Sequence, residues 1–396
     1  MANYRINHIL HPGVLERINP ELLLSFLGRH EETFTSSGIA LPSEATQESI
    51  PYRELLAFFS DLQPDAHPGL AEALFYVNEI STADSFDNLL ETCESLSLDV
   101  AEDDTREDLA IRLWLHDPAV LERLHSEALV YSCQRFDYYR PDEAPTGDFQ
   151  MPGREVLQLI SNDLDDWFDR KKRGRGCRVF CYENDGLFRF LVLHGEPYTR
   201  VPVFNEGESE AIHYRPAKHD VLIYNPATLE IGVNTRSKGL RQEYLNVFGE
   251  RLFGANEHFP PALKYSLNPL FEHGQDSLAL GRFSEFIEWV KLRELQVHLG
   301  GIYNACDIYR ADDVLADFEL RQRSVLSQGL TKAKFAVKFI GERNPRLITI
   351  QPPLTSRMTR ESDASVLESW LLQQGFIVSN PQSFRTCNDI ESMEGP

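Results

Sequence analysis

Apolar residues recur at three- and four-residue spacing through most of the first 130 positions, which is the period of helices that bury one face. "NPELLLSFLG" supplies Asn19 as a cap, Pro20 at the first helical position and Gly28 as a stop. The segments "YRELLAFFSDL", "PGLAEALFYVNEI" and "SFDNLLETCESL" repeat the pattern. In "DTREDLAIRLWLHDPAVLERLHSEAL", Thr105 can cap one helix, and Asp117 with Pro118 can open the next. A stretch rich in proline and glycine, "DYYRPDEAPTGDFQMPGRE", then has the composition of a domain junction. After it, "REVLQLISNDLDDWFDRKKRGRG" places Leu157, Ile160, Leu164 and Trp167 along one helical stripe.

The period then changes. "CRVFCYENDGLFRFLVLHG" holds two apolar runs around Asn184, Asp185 and Gly186, a hairpin signal because the turn needs positive φ. Short strands continue through Arg236, and "GLRQEYLNVFGERLFG" returns to helical spacing. Beyond the break in "GANEHFPPALKYSLNPLFEHGQDS", the segment "FSEFIEWVKLRELQVHLG" fits strand and helix alike. "TKAKFAVKFIG" is clearer, with Ala333, Phe335, Val337 and Phe339 on one face and Lys332, Lys334 and Lys338 on the other. "NPRLITIQPP" can pair with it, and "SDASVLESWLLQQGF" carries a candidate capping box from Ser365 to Glu368 and a Gly375 stop. The expected fold class is α+β and multidomain, an acidic N-terminal helical module followed by a mixed, mostly antiparallel sheet with helices. Expected boundaries are 1–136 for the acidic helices, 153–254 for a mixed domain with antiparallel hairpins, 277–380 for an α+β domain with a basic face, and 381–396 for a flexible tail.

Charge sharpens this division. Residues 1–150 hold 28 Asp/Glu and 9 Lys/Arg, net −19, whereas residues 151–396 hold 33 and 30, net −3, out of −22 for the whole chain. The acidity is almost entirely N-terminal, which suggests two surfaces with different partners. The apolar share of 42% and charged share of 25% belong to a globular chain, and no stretch approaches a membrane span or a leader peptide. A cytoplasmic protein without membrane association is expected. The six cysteines are scattered without a CxxC pair; Cys177 and Cys181 share a strand face without zinc-knuckle spacing and read as buried thiols.

The candidate chemistry is sparse. "HYRPAKHDVLIYNPATLEIGVNTRSK" contains Asp220 and Glu230, which invite comparison with a nuclease core, but the residue two after Glu230 is Gly232 where such a core needs lysine. A two-residue turn at Pro226 and Ala227 would set Ile223 opposite Glu230 and Asp220 opposite Val233, so the two acids would point to opposite faces. His213, Arg215 and Asp220 match a single copy of an HxKx4D phosphodiesterase pattern, with arginine in place of lysine. No metal-ligand set, cofactor motif or nucleophile motif is present, so neither a metal nor a cofactor is expected.

Two basic stretches remain. Lys171, Lys172 and Arg173 end a predicted helix, where cations favour the helix dipole; the alternative is a phosphate-contacting loop. Residues 321–360 carry nine Lys/Arg against one acid, and Lys332, Lys334, Lys338, Arg343 and Arg346 could together track a polyanion. Aromatic interleaving on that face is poor, so base stacking is not indicated, and the rival explanation is that the lysines guard an edge strand or dock the acidic N-terminal helices of the same chain. The resulting expectation is an interaction protein, an adaptor or sensor subunit, with a protein partner for the acidic module and a candidate nucleic-acid surface on the basic part. A metal-dependent nuclease or phosphodiesterase centred on 213–238 is the alternative. No residue speaks for an accessory role in a defence system, and none fixes the oligomeric state.

Overall fold

The computed structural model describes residues 6–82, 85–142, 149–184, 186–205, 208–261, 263–325, 329–359 and 364–378, with backbone alone at 131–132, 203–205 and 208–209. The chain divides into two compact units, Met1–Leu129 and Val130–Pro396.

The first unit is helical: α1 (Pro12–Leu15), α2 (Pro20–Gly28), α3 (Glu31–Ser36), α4 (Tyr52–Ser60), α5 (Pro68–Ile80), α6 (Phe86–Ser95), α7 (Arg106–His116) and α8 (Pro118–Ser132), whose last turn passes into the second unit. Local signals set these boundaries. Asn19 accepts from the Glu21 and Leu22 amides, and Thr105 with Asp108 forms a reciprocal capping box on α7. One core joins Leu23, Phe26, Phe34, Leu55, Leu74, Leu109 and Leu113. Three acids lie inside it, each with a partner. Asp104 takes two hydrogen bonds from Arg112, Asp108 accepts from the Asn19 amide, and Glu107 meets His8 Nε2 at 2.5 Å and Arg106 Nε at 3.0 Å. Burial pushes the Glu107 carboxyl up, but the bonds from His8 and Arg106 outweigh it and hold the group below its ordinary value.

The second unit contains β1 (Arg135–Tyr139), α9 (Arg154–Arg170), β2 (Arg178–Asn184), β3 (Leu187–Gly195), β4 (Thr199–Asn205), β5 (Glu208–Tyr214), β6 (Ala217–Asn225), β7 (Glu230–Asn234), α10 (Lys238–Phe253), α11 (Asn268–His273), β8 (Ile287–Gly300), β9 (Ala305–Arg310), α12 (Val314–Leu320), β10 (Leu330–Phe339), β11 (Arg346–Gln351), β12 (Thr355–Arg357) and α13 (Ala364–Gln373). Ten strands form a single antiparallel sheet in the order β2-β3-β6-β7-β1-β12-β11-β10-β8-β9, and β4 and β5 make a separate hairpin. The expected α+β class is what the chain adopts. The expected boundary between 153–254 and 277–380 does not divide the sheet. β1 pairs with β7 on one side and β12 on the other, so both segments share one sheet.

Three sequence expectations change in detail. The segment of undecided period is the strand β8, and its pairing with β10 skips Glu288, Arg293 and, on β10, Thr331. Each skipped residue is a bulge that interrupts strict alternation, which is why neither period fitted. The β6–β7 connection has four residues, not two: Asn225 pairs with Glu230, its side chain accepts from the Ala227 and Thr228 amides, and Leu229 closes the loop at φ 59°. The capping box expected at Ser365 lies inside α13, which already includes Ala364.

The two sheet faces are covered unequally. One face runs the width of the sheet under a continuous core that includes Leu191, Val221, Phe136, Ile350, Phe335 and Leu292, closed by Leu270, Phe318 and Trp370 from the helices. On the opposite face α9 and α10 pack only on the β2-β3-β6-β7-β1 half, through Ile160, Phe168, Leu240, Tyr244 and Phe248 against Phe190, Leu222 and Val233. Beyond β1 this face carries mostly polar side chains, with Leu347 and Ile308 exposed among them, and no helix among the described residues.

Phe335 is fully buried in the continuous core, and Phe335→Ala is expected to lower stability by about 3–5 kcal/mol in chemical denaturation. The depressed Glu107 pKa contributes stability that is present above its unfolded value, about 4.3, and is lost as pH falls through the folded value. In an acid titration of the helical circular-dichroism signal, Glu107→Gln should flatten this part of the profile.

Candidate functional site

The four residues of the 213–238 alternative do not meet. Asp220 is on the α9/α10 face of β6, where its carboxylate lies 3.1 Å from His194 Nε2 and accepts from the Tyr244 hydroxyl at 2.9 Å. Glu230 points to the other face and takes a 2.7 Å bond from the buried Lys264, whose ammonium also sits 3.7 Å from the Tyr138 ring centroid. Because Asn225 is the partner of Glu230, Asp220 lies five residues further along the ladder, roughly 17 Å away at strand rise. His213 is exposed on β5 opposite Arg200, and Arg215 stacks on Tyr198 and donates to the Lys172 carbonyl. No group of three or more His, Cys, Asp or Glu side chains suited to a metal occurs among the described residues. The catalytic arrangement considered for these residues is therefore not formed.

The His194–Asp220–Tyr244 group has a different character. The His194 side chain is fully enclosed and stacks on Phe168 at 4.3 Å between centroids. Its Nδ1–H donates to the Gly195 carbonyl, so the contact to Asp220 holds one proton between ring and carboxylate. Burial, first, and then the Asp220 charge push the Tyr244 hydroxyl well above its ordinary pKa. With every polar group paired and no side chain reaching solvent, the triad ties α10 to β3 and β6 and has no room for a substrate. Burial likewise pushes the Cys177 and Cys181 thiols up to about 12, which makes them poor nucleophiles.

The uncovered half of the sheet is where charge meets solvent. Along β10, Lys332, Lys334 and Lys338 point to the open face, as the alternation predicts. Glu294 from β8 lies beneath them, 2.8 Å from Lys332, 3.9 Å from Lys334 and 2.7 Å from Arg310 of β9. The Lys332 hydrogen bond in particular holds its carboxyl below the ordinary range, so one acid is shared among three cations. Among the described residues Lys338 donates only to the neutral carbonyls of Glu342 and Arg343, and no carboxylate pairs with it. Lys291 rests over the Trp289 ring at 5.2 Å, and no acid pairs with it among the described residues.

The same face continues across β11 to β12 and β1. There Arg357 and Arg135 stand directly opposite in the antiparallel register, and both are exposed. Like charges in this position destabilise a pair of strands. The nearest acid, Asp137, is 3.7 Å from Arg135 but is itself bound at 2.6 Å by Arg241 of α10 and at 2.5 Å by the Thr355 hydroxyl. Among the described residues of this half, Arg135, Lys291, Arg310, Lys332, Lys334, Lys338 and Arg357 thus stand against two buried acids, Asp137 and Glu294, and the exposed Glu288 of the β8 bulge.

No family model matches this chain, and no curated protein is significantly similar to it. Function has to be read from the geometry alone.

The remaining sequence candidates sit elsewhere. Arg346 is opposite Val337, a core position, and its guanidinium lies over Phe339 and near Glu342. Arg343 is in the exposed turn after β10. Lys171, Lys172 and Arg173 follow α9, with Lys171 and Arg173 flanking the Trp167 ring and Arg173 3.4 Å from Glu196. Six strand steps separate β3 from β10, roughly 29 Å at strand spacing, so this corner is not part of the open face. Conversely, pattern reading missed Arg135, Lys291, Arg310 and Arg357, whose placement depends on which strands become neighbours.

Asp220→Ala leaves His194 and Tyr244 buried without an acceptor and should cost about 3–5 kcal/mol in denaturant unfolding. Thiol labelling of the native protein at pH 8, mapped by mass spectrometry, should modify exposed Cys306 well before Cys93, Cys177 and Cys181.

Proposed function

We propose that this chain is a binding protein, not a catalyst, and that the open half of its sheet receives the phosphate backbone of a nucleic acid. The reading is supported above all by the unequal covering of the sheet, which leaves a mostly polar face with a cationic excess in water, while the acids that the sequence singled out, Asp220 and Glu230, are held in buried pairs. Lysine and arginine at strand spacing present several phosphate donors at once, and the counterions they displace supply affinity without sequence readout. Anions bridging Arg135 and Arg357 would relieve the like-charge contact present in the unbound protein. The helical unit, with most of the chain's negative charge, is on this reading the part that meets a protein partner with a basic surface.

Binding of labelled DNA and RNA should weaken steeply with salt. Arg357→Gln and Lys338→Gln each remove a cation with no acid partner among the described residues, so each should reduce the slope of log K against log salt by about 0.7–0.9. Arg357→Gln should leave thermal stability unchanged or slightly higher, because it ends the contact with Arg135. Unaltered slopes in both variants would remove the open face from consideration, and turnover of the nucleic acid in Mg²⁺ or Mn²⁺ would reject the non-catalytic reading.

A further inference from the structure

The bulges in β8 bring one aromatic side chain to the open face. Val290 and Leu292 point into the core, so Trp289 points the other way, directly opposite Lys338 of β10. It is half-buried and makes no ring contact with another aromatic among the described residues; the group over its ring is the Lys291 ammonium at 5.2 Å. A tryptophan on the sheet surface beside two lysines, with the exposed Glu288 preceding it in the bulge, combines a stacking surface with a net excess of phosphate donors. The ammonium marks its ring as reachable by a ligand, because a lysine side chain is flexible and can swing aside.

We propose that Trp289 is a stacking platform for an unpaired base, so that the open face selects single-stranded nucleic acid over duplex. This rests on the phosphate-binding reading of the same face. A base lying on the indole takes the place of the Lys291 ammonium, which is then free to meet an adjacent phosphate, and Lys338 contacts the backbone on the other side. In a duplex the bases are stacked on one another and cannot lie flat on the indole; a single strand can turn one out. Stacking is sequence-tolerant, which suits a face whose other groups read only phosphates.

The test compares three fluorescent probes by anisotropy: an unstructured oligonucleotide, a duplex of the same length, and an abasic strand with the same backbone charge. Wild type should bind the oligonucleotide about 10-fold or more tightly than the abasic strand, in keeping with the effect of one stacked base. Trp289→Ala should remove that difference while leaving the salt slope and duplex affinity unchanged, and Trp289→Phe should retain part of it. Equal binding of all three probes by wild type, or unchanged preference in Trp289→Ala, would overturn the platform and leave backbone binding standing. Failure of wild type to bind any probe would overturn both. Matching circular-dichroism spectra and melting temperatures of the variants exclude misfolding as the cause.

Discussion

The Arg241–Asp137 ion pair stands where the helical layer ends, and the division of the sheet depends on what happens there. On the β7 side, outward positions such as Val233 and Ile231 are apolar and have α10 over them. On the other side, Thr355, Arg357 and Thr349 are polar and meet solvent. An antiparallel sheet can leave one face wet when its side chains alternate accordingly, and here the alternation changes character part-way across one sheet. Asp137 is buried at the border and bound by a helix residue on one side and a strand hydroxyl on the other, so it anchors the rim of α10 to β1 and β12.

The charges on that face are arranged unlike those of a surface designed only for solubility. Mixed signs are the usual device for keeping an exposed sheet from associating with its neighbours. Here the acids are recessed, Glu294 beneath two lysines and an arginine and Asp137 beneath the rim, while the cations project. Glu294 holds the Lys332 ammonium and the Arg310 guanidinium in place, which reduces the side-chain entropy lost when an anion binds them.

Local chemistry was legible in the sequence and pairing was not. Asn19, Thr105, Pro118 and Gly375 act at helix ends as their residue types predict, and the alternation of "TKAKFAVKFIG" correctly gave both faces of β10. What failed were statements that depend on a neighbour. Bulges at Glu288 and Arg293 concealed β8, and with it the facts that Trp289 lies opposite Lys338 and Glu294 beneath Lys332. Aromatic interleaving is poor along the cationic side of β10, and the strand beside it supplies one ring. The Asp220–Glu230 hairpin was read two residues out of register because an Asn-Pro turn was assigned its shortest loop. The two acids still lie on opposite faces, since a shift of two preserves the parity of side chains.

Interior charge pairs and the cations of the open face are kept apart in this protein, which supports the binding reading proposed above. His194, Asp220 and Tyr244, Lys264 and Glu230, and Arg112 and Asp104 are mutually satisfied within the interior, where loss of one member strands the other in a low dielectric. A catalytic group needs the opposite condition, a titratable side chain whose remaining capacity faces a reacting atom. On the open face the spare capacity belongs to lysines and arginines, which donate hydrogen bonds and carry charge but do not exchange protons near neutral pH unless strongly desolvated. Exposed groups of this kind can hold a phosphate and release it; they supply neither a base nor a nucleophile for breaking it.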